Sequence, residues 1–273
     1  MQTPFPAGLH VPPEGAVDGS AYDQWVGRWS RLFVPAVLAA GDLRPGLRVL
    51  DVSTGTGEAS LAIIPRIGPC GLLIAADIAP AMLHAARSRL PRSAFLPVAA
   101  DGQALPFADA SFDAVTCQLG LQFFPDPARG LIEFRRVLRN GGRAGICVIS
   151  TPDRAPMWGI LAEVLGRTVP AQRGIAHLSF ALSDTRRLEH MLTGAGFHDV
   201  QVDRQSREGA FESLEDYWRP IEAGTGSIPQ VYLSLPESQR RAVRDEVTER
   251  LTRFRSDGRL VMSVEMLIAS GRA

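Results

Sequence analysis

From about residue 45 onward, short apolar runs alternate with stretches of helical periodicity. Five of the runs have the length of buried strands, and they occupy residues 49–52, 72–77, 94–98, 113–117 and 144–149. Between the last two, the stretch ARGLIEFRRVLRN carries its apolar residues on one helical face. Continuous apolar strands joined by helices indicate a parallel sheet covered on both faces, and right-handed crossovers make that sheet doubly wound. The pattern therefore predicts an α/β fold of the Rossmann-like kind.

Several segments fall outside this alternation. A helix is predicted over residues 18–40, a short helix after the first strand should end near Pro65, and the glycines after Asn140 predict a tight stop before the fifth strand. Residues 198–202 and 260–268 are predicted to be two late strands, and the second has a pattern compatible with an antiparallel strand inside the sheet. These boundaries predict four parts: an N-terminal arm and lid helix (1–44), a core (45–150), a cap insertion (151–182), and a C-terminal part of the sheet (183–273) with inserted helices at 211–257.

Composition and charge limit the classes of partner and chemistry that this chain could have. The chain has 29 basic and 29 acidic residues, and this balance indicates neither a nucleic-acid nor a membrane-surface partner. It has no lysine, which excludes Schiff-base chemistry on that side chain. Cys70, Cys117 and Cys147 lack the spacing of metal ligands, so we expect no metal site and two buried strand cysteines. Since the N-terminus lacks a signal pattern and no apolar run approaches transmembrane length, we expect a cytoplasmic protein. We further expect a monomer or homodimer with a small-molecule substrate.

A glycine-containing loop follows the first predicted strand. The sequence VLDVSTGTGEAS places Gly55 and Gly57 between that strand and a helix, which is typical of a loop that holds a nucleotide-like cofactor. Asp77 ends the second strand about twenty residues after Gly57, where a carboxylate usually accepts hydrogen bonds from ribose hydroxyls. The alternative is that Asp77 caps the helix beside Ala79-Pro80.

Three features bear on the identity of the cofactor. Asp51 lies just before the loop, where its charge would repel a pyrophosphate but attract the ammonium group of S-adenosylmethionine. The loop continues as Glu58-Ala59-Ser60, where a dinucleotide-binding loop usually has its third glycine. Asp101 follows the third strand, where a carboxylate accepts from the exocyclic amine of adenine. Together they favour S-adenosylmethionine over a dinucleotide.

The motifs DVSTGTG, AADIAPAML, AADGQALPFADASFDAVTCQLGLQFFPDP and RVLRNGGRAGICV stand in this order along the chain. Residues 20–150 resemble class I S-adenosylmethionine-dependent methyltransferases, and most closely the ubiquinone/menaquinone-biosynthesis type. The resemblance implies a seven-stranded sheet of order 3-2-1-4-5-7-6 with strand seven antiparallel, S-adenosylmethionine as cofactor and S-adenosylhomocysteine as product. The predicted antiparallel late strand agrees with that topology.

The resemblance also implies roles for single residues. Asp51 would pair with the methionine ammonium through water, Asp77 would hold the ribose, and Gln118 would reach the methionine end. Ser53 departs from the family, which commonly has glycine there, so this serine must avoid a positive φ or accept strain. The cofactor-binding set implied in this way is Tyr22, Trp29, Asp51, Ser53, Thr54, Gly55, Gly57, Asp77, Ile78, Met82, Asp101, Gly102, Gln103, Gln118 and Phe123.

The reaction implied is in-line methyl transfer to a small, apolar or aromatic metabolite, typical of secondary metabolism. Alignment and exclusion of water are the protein's main tasks in such a reaction. His177 in the cap and Tyr22 on the lid helix are the candidates for a catalytic base, although Tyr22 is equally explained as a core aromatic. Aromatic residues such as Phe123 and Trp29 suit an apolar substrate, and equally suit packing between lid and core.

Two other functions remain open at this stage. An S-adenosylmethionine-binding cyclase, or another non-methylating enzyme on the same fold, would keep every cofactor motif. A nicotinamide-dependent dehydrogenase is suggested by the glycine loop alone, and Asp51 and Asp101 both argue against it.

Overall fold

An eight-stranded sheet forms the centre of the protein in the computed structural model, which describes residues 19–91, 94–224 and 226–273, with the Ser20 side chain also left out. The strands are β1 Arg48–Val52, β2 Leu72–Asp77, β3 Leu96–Ala99, β4 Phe112–Gln118, β5 Leu138–Ile149, β6 His198–Phe211, β7 Arg255–Ser256 and β8 Arg259–Arg272. Their order is β3-β2-β1-β4-β5-β8-β6, and the two-residue β7 pairs with β8. The first five strands are parallel, whereas β8 runs antiparallel to both β5 and β6. The predicted fold and strand order are confirmed, with β8 as the antiparallel strand.

Helices cover the sheet and extend beyond its carboxyl end. They are α1 Gly19–Tyr22, α2 Arg28–Ser30, α3 Val34–Ala40, α4 Glu58–Ile67, α5 Pro80–Arg89, α6 Pro127–Val137, α7 Pro156–Thr168, α8 Arg173–His177, α9 Thr185–Gly194, α10 Leu214–Glu222, α11 Ser227–Leu233 and α12 Glu237–Leu251. A π-helical turn, Asp23–Gly27, joins α1 to α2. None of the helices described by the structure is long and apolar enough to cross a membrane.

Alternate residues of the strands point to opposite faces and feed separate cores. Val49 packs with side chains of α3, α4 and α5 on one face. Leu50 packs with α6 and α9 on the other. A third cluster joins the π-helical turn, α2 and α3 to α7, α8, α10–α12 and one face of β8, and contains Trp25, Trp29 and Trp158. This third cluster lies at the carboxyl ends of β4 and β5, where α/β proteins bind ligands.

Two predicted helix boundaries are wrong. Pro65 does not end α4, which continues to Ile67, because the missing N–H of a proline in the last turn removes only one helical hydrogen bond. Gly68 then ends the helix, and its N–H donates to the Ile64 carbonyl over 3.1 Å. The predicted helix 18–40 is instead several short helices, interrupted by the π turn and by a turn at residues 31–33.

Two strand boundaries are also corrected. β5 begins at Leu138 and not after the glycines, because the register shift between Phe112 and Ala114 accommodates Gly141 as a bulge with φ 81°. β6 extends to Phe211, since it pairs with β8 as far as Leu260. The apolar pattern did not predict the second half of β6, because most residues there are polar. Polar residues are typical of an edge strand that faces water. Cys117 and Cys147 are buried as predicted, while Cys70 is exposed.

Candidate cofactor and substrate site

The loop after β1 is built from residues in left-handed backbone conformations. Gly55 has φ 57° and Gly57 has φ 87°, and Gly57 also caps α4. A Cβ atom at Gly57 would lie 2.9 Å from Leu90 Cδ1, so close packing of the loop on α5 requires a glycine there. The loop thereby brings its backbone N–H groups to the carboxyl edge of the sheet.

Asp51 lies beneath this loop and has no exposed surface. Its carboxylate accepts three hydroxyl hydrogen bonds, from Thr54 Oγ1 over 2.8 Å, Ser60 Oγ over 2.7 Å and Thr116 Oγ1 over 2.8 Å. Burial raises the pKa of Asp51, and these three hydrogen bonds act in the opposite direction. Asp51 therefore holds the loop to β1 and β4 from within, in addition to any part it takes in binding a cation.

Asp77 fastens the same loop from β2. Its Oδ2 accepts from the Gly55 N–H over 2.9 Å and its Oδ1 accepts from the Ala79 N–H over 2.9 Å. Burial raises the pKa of Asp77 to about 6, against the lowering effect of these amide hydrogen bonds. The carboxylate thus interacts with the backbone at the start of α5, as the capping alternative requires, while its predicted role in ribose binding stays a prediction.

A small cavity lies directly above the loop. Tyr22, Val26 and Ser30 from the lid segment, defined here as residues 19–30, close it from one side. Its volume is about 20 Å³, roughly the space of one water molecule. The lining residues that sequence reasoning predicted are Tyr22, Asp51, Ser53, Thr54, Gly55 and Gln118. The structure therefore brings together the lid tyrosine, the acid, the loop and Gln118, the last residue of β4.

Gln118 has an unpaired oxygen in this cavity. Its Nε2 donates to the Ser30 carbonyl over 3.1 Å, whereas its buried Oε1 has no hydrogen-bond partner among the described residues. With the Asp51 carboxylate in the same wall, the cavity offers oxygen acceptors to an ammonium group. These acceptors fit the ammonium of the amino-acid end of S-adenosylmethionine and would repel a pyrophosphate.

Two non-glycine residues in the cavity wall adopt left-handed backbone conformations. Ser53 and Leu119 both have φ 57°, so Ser53 accepts the strain that glycine would avoid. Gly120 lies against Ser53, and a Cβ atom at Gly120 would be 2.3 Å from Ser53 Cβ. Strained backbone of this kind is concentrated at functional sites in proteins.

A network of charged residues attaches the lid segment to the loop. Arg89 on α5 donates to Thr56 Oγ1 over 2.9 Å and to the Thr56 carbonyl over 3.0 Å, and it pairs with Asp23 at 3.0 Å. Thr56 Oγ1 donates to Asp23 Oδ1 over 2.7 Å, and Arg89 also pairs with Glu58 at 2.9 Å. The lid is therefore closed on the loop in this structure.

Tyr22 of the lid segment lies beside Gly55 of the loop. A Cβ atom on Gly55 would be 3.8 Å from its hydroxyl oxygen. Burial raises the pKa of Tyr22, and the neighbouring carboxylates of Asp77 and Asp23 raise it further. Tyr22 consequently keeps its proton at neutral pH, so it can donate a hydrogen bond but is poorly suited to act as a base.

The residues predicted to bind adenine form a separate, internally bonded turn. The Gln103 N–H donates to Asp101 Oδ1 over 2.9 Å, and Gln103 Oε1 accepts from the Asp126 N–H over 2.8 Å. Gly102 packs on Phe124, where a Cβ atom would be 2.3 Å from Phe124 Cζ. These residues do not line the cavity above the loop, and neither do Trp29, Gly57, Asp77, Ile78, Met82 and Phe123.

His177 lies away from this cavity. It belongs to α8 and not to a loop, and it lines a groove with Glu163, Arg173 and Arg250 that shares no residue with the cavity. Burial lowers the pKa of His177, and the charge of Arg173 lowers it further. The structure therefore does not bring the predicted histidine base to the loop.

The cavity wall also contains residues outside the predicted cofactor-binding set, namely Val26, Gly27, Ser30, Thr56, Glu58, Ala59 and Leu119. Positions 22, 26 and 30 are four residues apart, so a helical projection of the lid would have placed Val26 and Ser30 beside Tyr22. Leu119 gave no signal, because a leucine in an apolar run does not reveal a positive φ.

Comparisons with known proteins agree with this geometry. Residues 50–146 match the family model described as a methyltransferase domain. The demethylmenaquinone methyltransferase of Renibacterium salmoninarum is 41% identical over 145 residues, which are 53% of this chain and 57% of that protein. That of Corynebacterium kroppenstedtii is 42% identical over 171 residues, or 58% of this chain and 71% of that protein. The chain thus matches less than two thirds of the length of the first relative and more than two thirds of the second.

Solved structures share the fold. A phosphoethanolamine N-methyltransferase of Haemonchus contortus, solved in complex with S-adenosyl-L-methionine, superimposes with a TM-score of 0.59 at 16% identity, covering 94% of this chain and 57% of that one. The strand order, the loop above Asp51 and the curated relatives lead to one assignment. The chain belongs to the class I S-adenosylmethionine-dependent methyltransferases, in the branch that contains the demethylmenaquinone enzymes.

Proposed function

We propose that this protein transfers the methyl group of S-adenosylmethionine to a small, largely apolar ring compound of the quinol type. The observation that carries the proposal is the cavity wall in which the buried Asp51 carboxylate and the unpaired Gln118 oxygen lie beside the glycine loop. The names of the relatives support the quinol class, because both are demethylmenaquinone methyltransferases.

The chain supplies a distinct group for each part of the cofactor. Gln118 and Asp51 would hold the ammonium, and the loop at Gly55 would lie along the methionine portion. Asp77 would accept from the ribose hydroxyls, and the turn at Asp101 would contact the adenine. When bound, S-adenosylmethionine would supply a methyl carbon activated by its positively charged sulfur, for attack by the acceptor opposite the sulfur, with neutral S-adenosylhomocysteine as the leaving group.

The lid segment would exclude water from the reacting groups. The closed cavity of about 20 Å³ is far smaller than the cofactor, so Tyr22 and Val26 must move for binding. The link from Asp23 through Arg89 to Thr56 would then close the lid again. Such closure on bound reactants is a common way to keep water away during group transfer.

The proposed acceptor is a nucleophile that needs no base from the protein. Tyr22 keeps its proton, and His177 lies in another groove. These placements favour an electron-rich ring carbon or an oxygen that ionises easily over an alcohol, which would require general-base catalysis. A hydroquinone ring carbon meets that requirement.

Calorimetry and methyl transfer test the proposal directly. We expect S-adenosylmethionine and S-adenosylhomocysteine to bind, and radiolabelled methyl to appear in a short-chain demethylmenaquinol. Absence of binding by both would refute the proposal. Consumption of the quinol without formation of S-adenosylhomocysteine would instead support a non-methylating enzyme that uses the same cofactor.

The Gln118→Met variant tests the proposed ammonium contact. It removes the unpaired acceptor at nearly constant volume, together with the Nε2 hydrogen bond to the Ser30 carbonyl. We expect S-adenosylhomocysteine to bind about tenfold more weakly, a loss of about 1.4 kcal/mol. Gln201→Met is the matched control, because Gln201 is exposed on β6 and should leave the affinity unchanged. Equal affinities of the two variants would remove Gln118 from the site.

A further inference from the structure

Buried polar atoms without partners are concentrated at one end of the sheet. Across residues 19–91, 94–224 and 226–273, five such side-chain atoms occur: Trp29 Nε1, Gln118 Oε1, both amide atoms of Gln122, and Arg272 Nε. Arg272 at the end of β8 lies opposite Arg143 of β5 in the strand register. Arg272 is therefore at the other end of the sheet. Four of the five atoms therefore belong to residues at the carboxyl end, where α/β sheets bind ligands.

Gln122 contributes two of these unpaired atoms. It lies in a short 3₁₀ helix, Leu121–Phe123, that follows β4, and only 1% of its surface is exposed. A primary amide offers two N–H donors and one oxygen acceptor, and neither its nitrogen nor its oxygen is paired within the described residues. Native proteins nearly always satisfy buried amides, so an unpaired one requires a partner from outside the chain, such as a ligand or a water molecule.

The segments that contact the 3₁₀ helix of Gln122 bury mainly apolar residues, with Ser179 as a buried polar residue in the cap. The 3₁₀ helix contacts β5 and the cap segment Leu178–Phe180. Ile149 at the end of β5 and Phe180 in the cap belong to the same buried cluster as Trp29 and Trp158. A ligand in these surroundings would bury a flat apolar body and would meet very few hydrogen-bonding groups.

We infer that Gln122 binds the methyl acceptor by hydrogen-bonding a hydroxyl or carbonyl oxygen attached to its ring. The amide can donate to a carbonyl oxygen or accept from a hydroxyl group, so it suits both the oxidised and the reduced form of such a ring. The Trp29 indole N–H is a second unpaired donor in the neighbouring cluster. This inference rests on the proposed function and adds to it the group that distinguishes an oxygen-bearing ring from a plain aromatic ring.

Two ring compounds, one with hydroxyl groups and one without, distinguish a hydrogen bond to Gln122 from burial of the ring alone. Protein saturated with S-adenosylhomocysteine is titrated under anaerobic conditions with 1,4-dihydroxynaphthalene and with naphthalene. We expect the wild type to bind the dihydroxy compound at least about tenfold more tightly. Gln122→Met, which keeps the side-chain volume, should abolish most of that preference while the affinity for naphthalene and for S-adenosylhomocysteine stays unchanged. Gln201→Met is again the control, with the wild-type preference expected.

The melting temperature of the ligand-free protein gives an independent readout. Because Gln122→Met removes an unpaired polar group, it should leave that temperature unchanged or raise it. A clear fall in melting temperature with an unchanged probe preference would show that Gln122 is satisfied inside the protein and would overturn the inference. Equal affinity of the wild type for both probes would also overturn it.

Failure of the proposed function has a different signature. In that case the wild type does not bind S-adenosylhomocysteine or transfers no labelled methyl. The two probe titrations are then repeated without S-adenosylhomocysteine, and the ratio of the two affinities in wild type and Gln122→Met still decides the role of Gln122.

Discussion

The glycine loop and the apolar cluster beneath the lid and the cap differ in how their buried polar groups are satisfied. In the loop, Asp51 accepts three hydroxyl hydrogen bonds and Asp77 accepts two backbone N–H groups. At the edge of the cluster, by contrast, the Gln122 amide and the Trp29 indole are buried and unpaired among the described residues.

This difference separates a scaffold from a binding surface. The buried carboxylates of the loop already have hydrogen-bond partners without a ligand, so substitutions of Asp51 and Asp77 should change the free energy of unfolding in addition to cofactor binding. The unpaired amides would be completed by ligands, so substitutions there should act mainly on binding. The predictions below test whether stability and affinity divide between the two regions in this way.

The largest effect is expected from Asp51→Ala. The substitution leaves the hydroxyls of Thr54, Ser60 and Thr116 without their common acceptor, and each is buried. We expect the free energy of unfolding to fall by about 3–5 kcal/mol, as measured by urea denaturation. Gln122→Met in the same assay should change it by less than about 1 kcal/mol. Similar losses for the two variants would show that the regions do not differ as described.

The second effect concerns the pH dependence of stability. The pKa of Asp77 rises from 3.8 to about 6 on folding, so the folded protein binds a proton more tightly than the unfolded chain. Protonation of Asp77 thus contributes to the free energy of unfolding. This contribution is fully present below pH 3.8 and is lost as the pH rises through about 6. We expect a loss of at most about 3 kcal/mol from this group between pH 4 and 7.

Asp77→Asn isolates that contribution. The amide keeps one oxygen acceptor and does not titrate, so the difference between wild type and variant cancels the other ionisable groups. Urea denaturation at several pH values should show the wild type losing stability relative to Asp77→Asn as the pH rises from 4 to 7. A difference that stays constant across this range would mean that Asp77 titrates in the folded protein as it does in the unfolded chain.

The two regions also differ in how far they could be predicted from sequence. The loop was predicted because its determinants are local: a strand, two glycines and an acid at fixed spacing. The strands β1 to β5 followed from apolar runs for the same reason. Asp77 was recognised together with its capping alternative, because both roles depend on its neighbours in the chain.

The region around Gln122 was not predicted, since its properties arise from distant contacts. An amide between Leu121 and two phenylalanines gives no local sign of being buried and unpaired. That state depends on the cap segment Leu178–Phe180, more than fifty residues away. Likewise, the length of β6 follows from its pairing with β8 and not from its own polar sequence.

The smallest expected effect concerns Ser53, which belongs to the loop by sequence and to the cavity by position. Its φ of 57° is unfavourable for a serine, so Ser53→Gly should raise the free energy of unfolding by about 0.5 kcal/mol, after the added flexibility of the unfolded chain is subtracted. Ser88→Gly on the exposed surface of α5 should have the opposite sign, because glycine is unfavourable within a helix. If S-adenosylhomocysteine binds Ser53→Gly as tightly as the wild type, Ser53 is part of the scaffold and only tolerates its turn. A tenfold weaker affinity would place its hydroxyl among the groups that contact the ligand, and the boundary between the two regions would then pass through the loop itself.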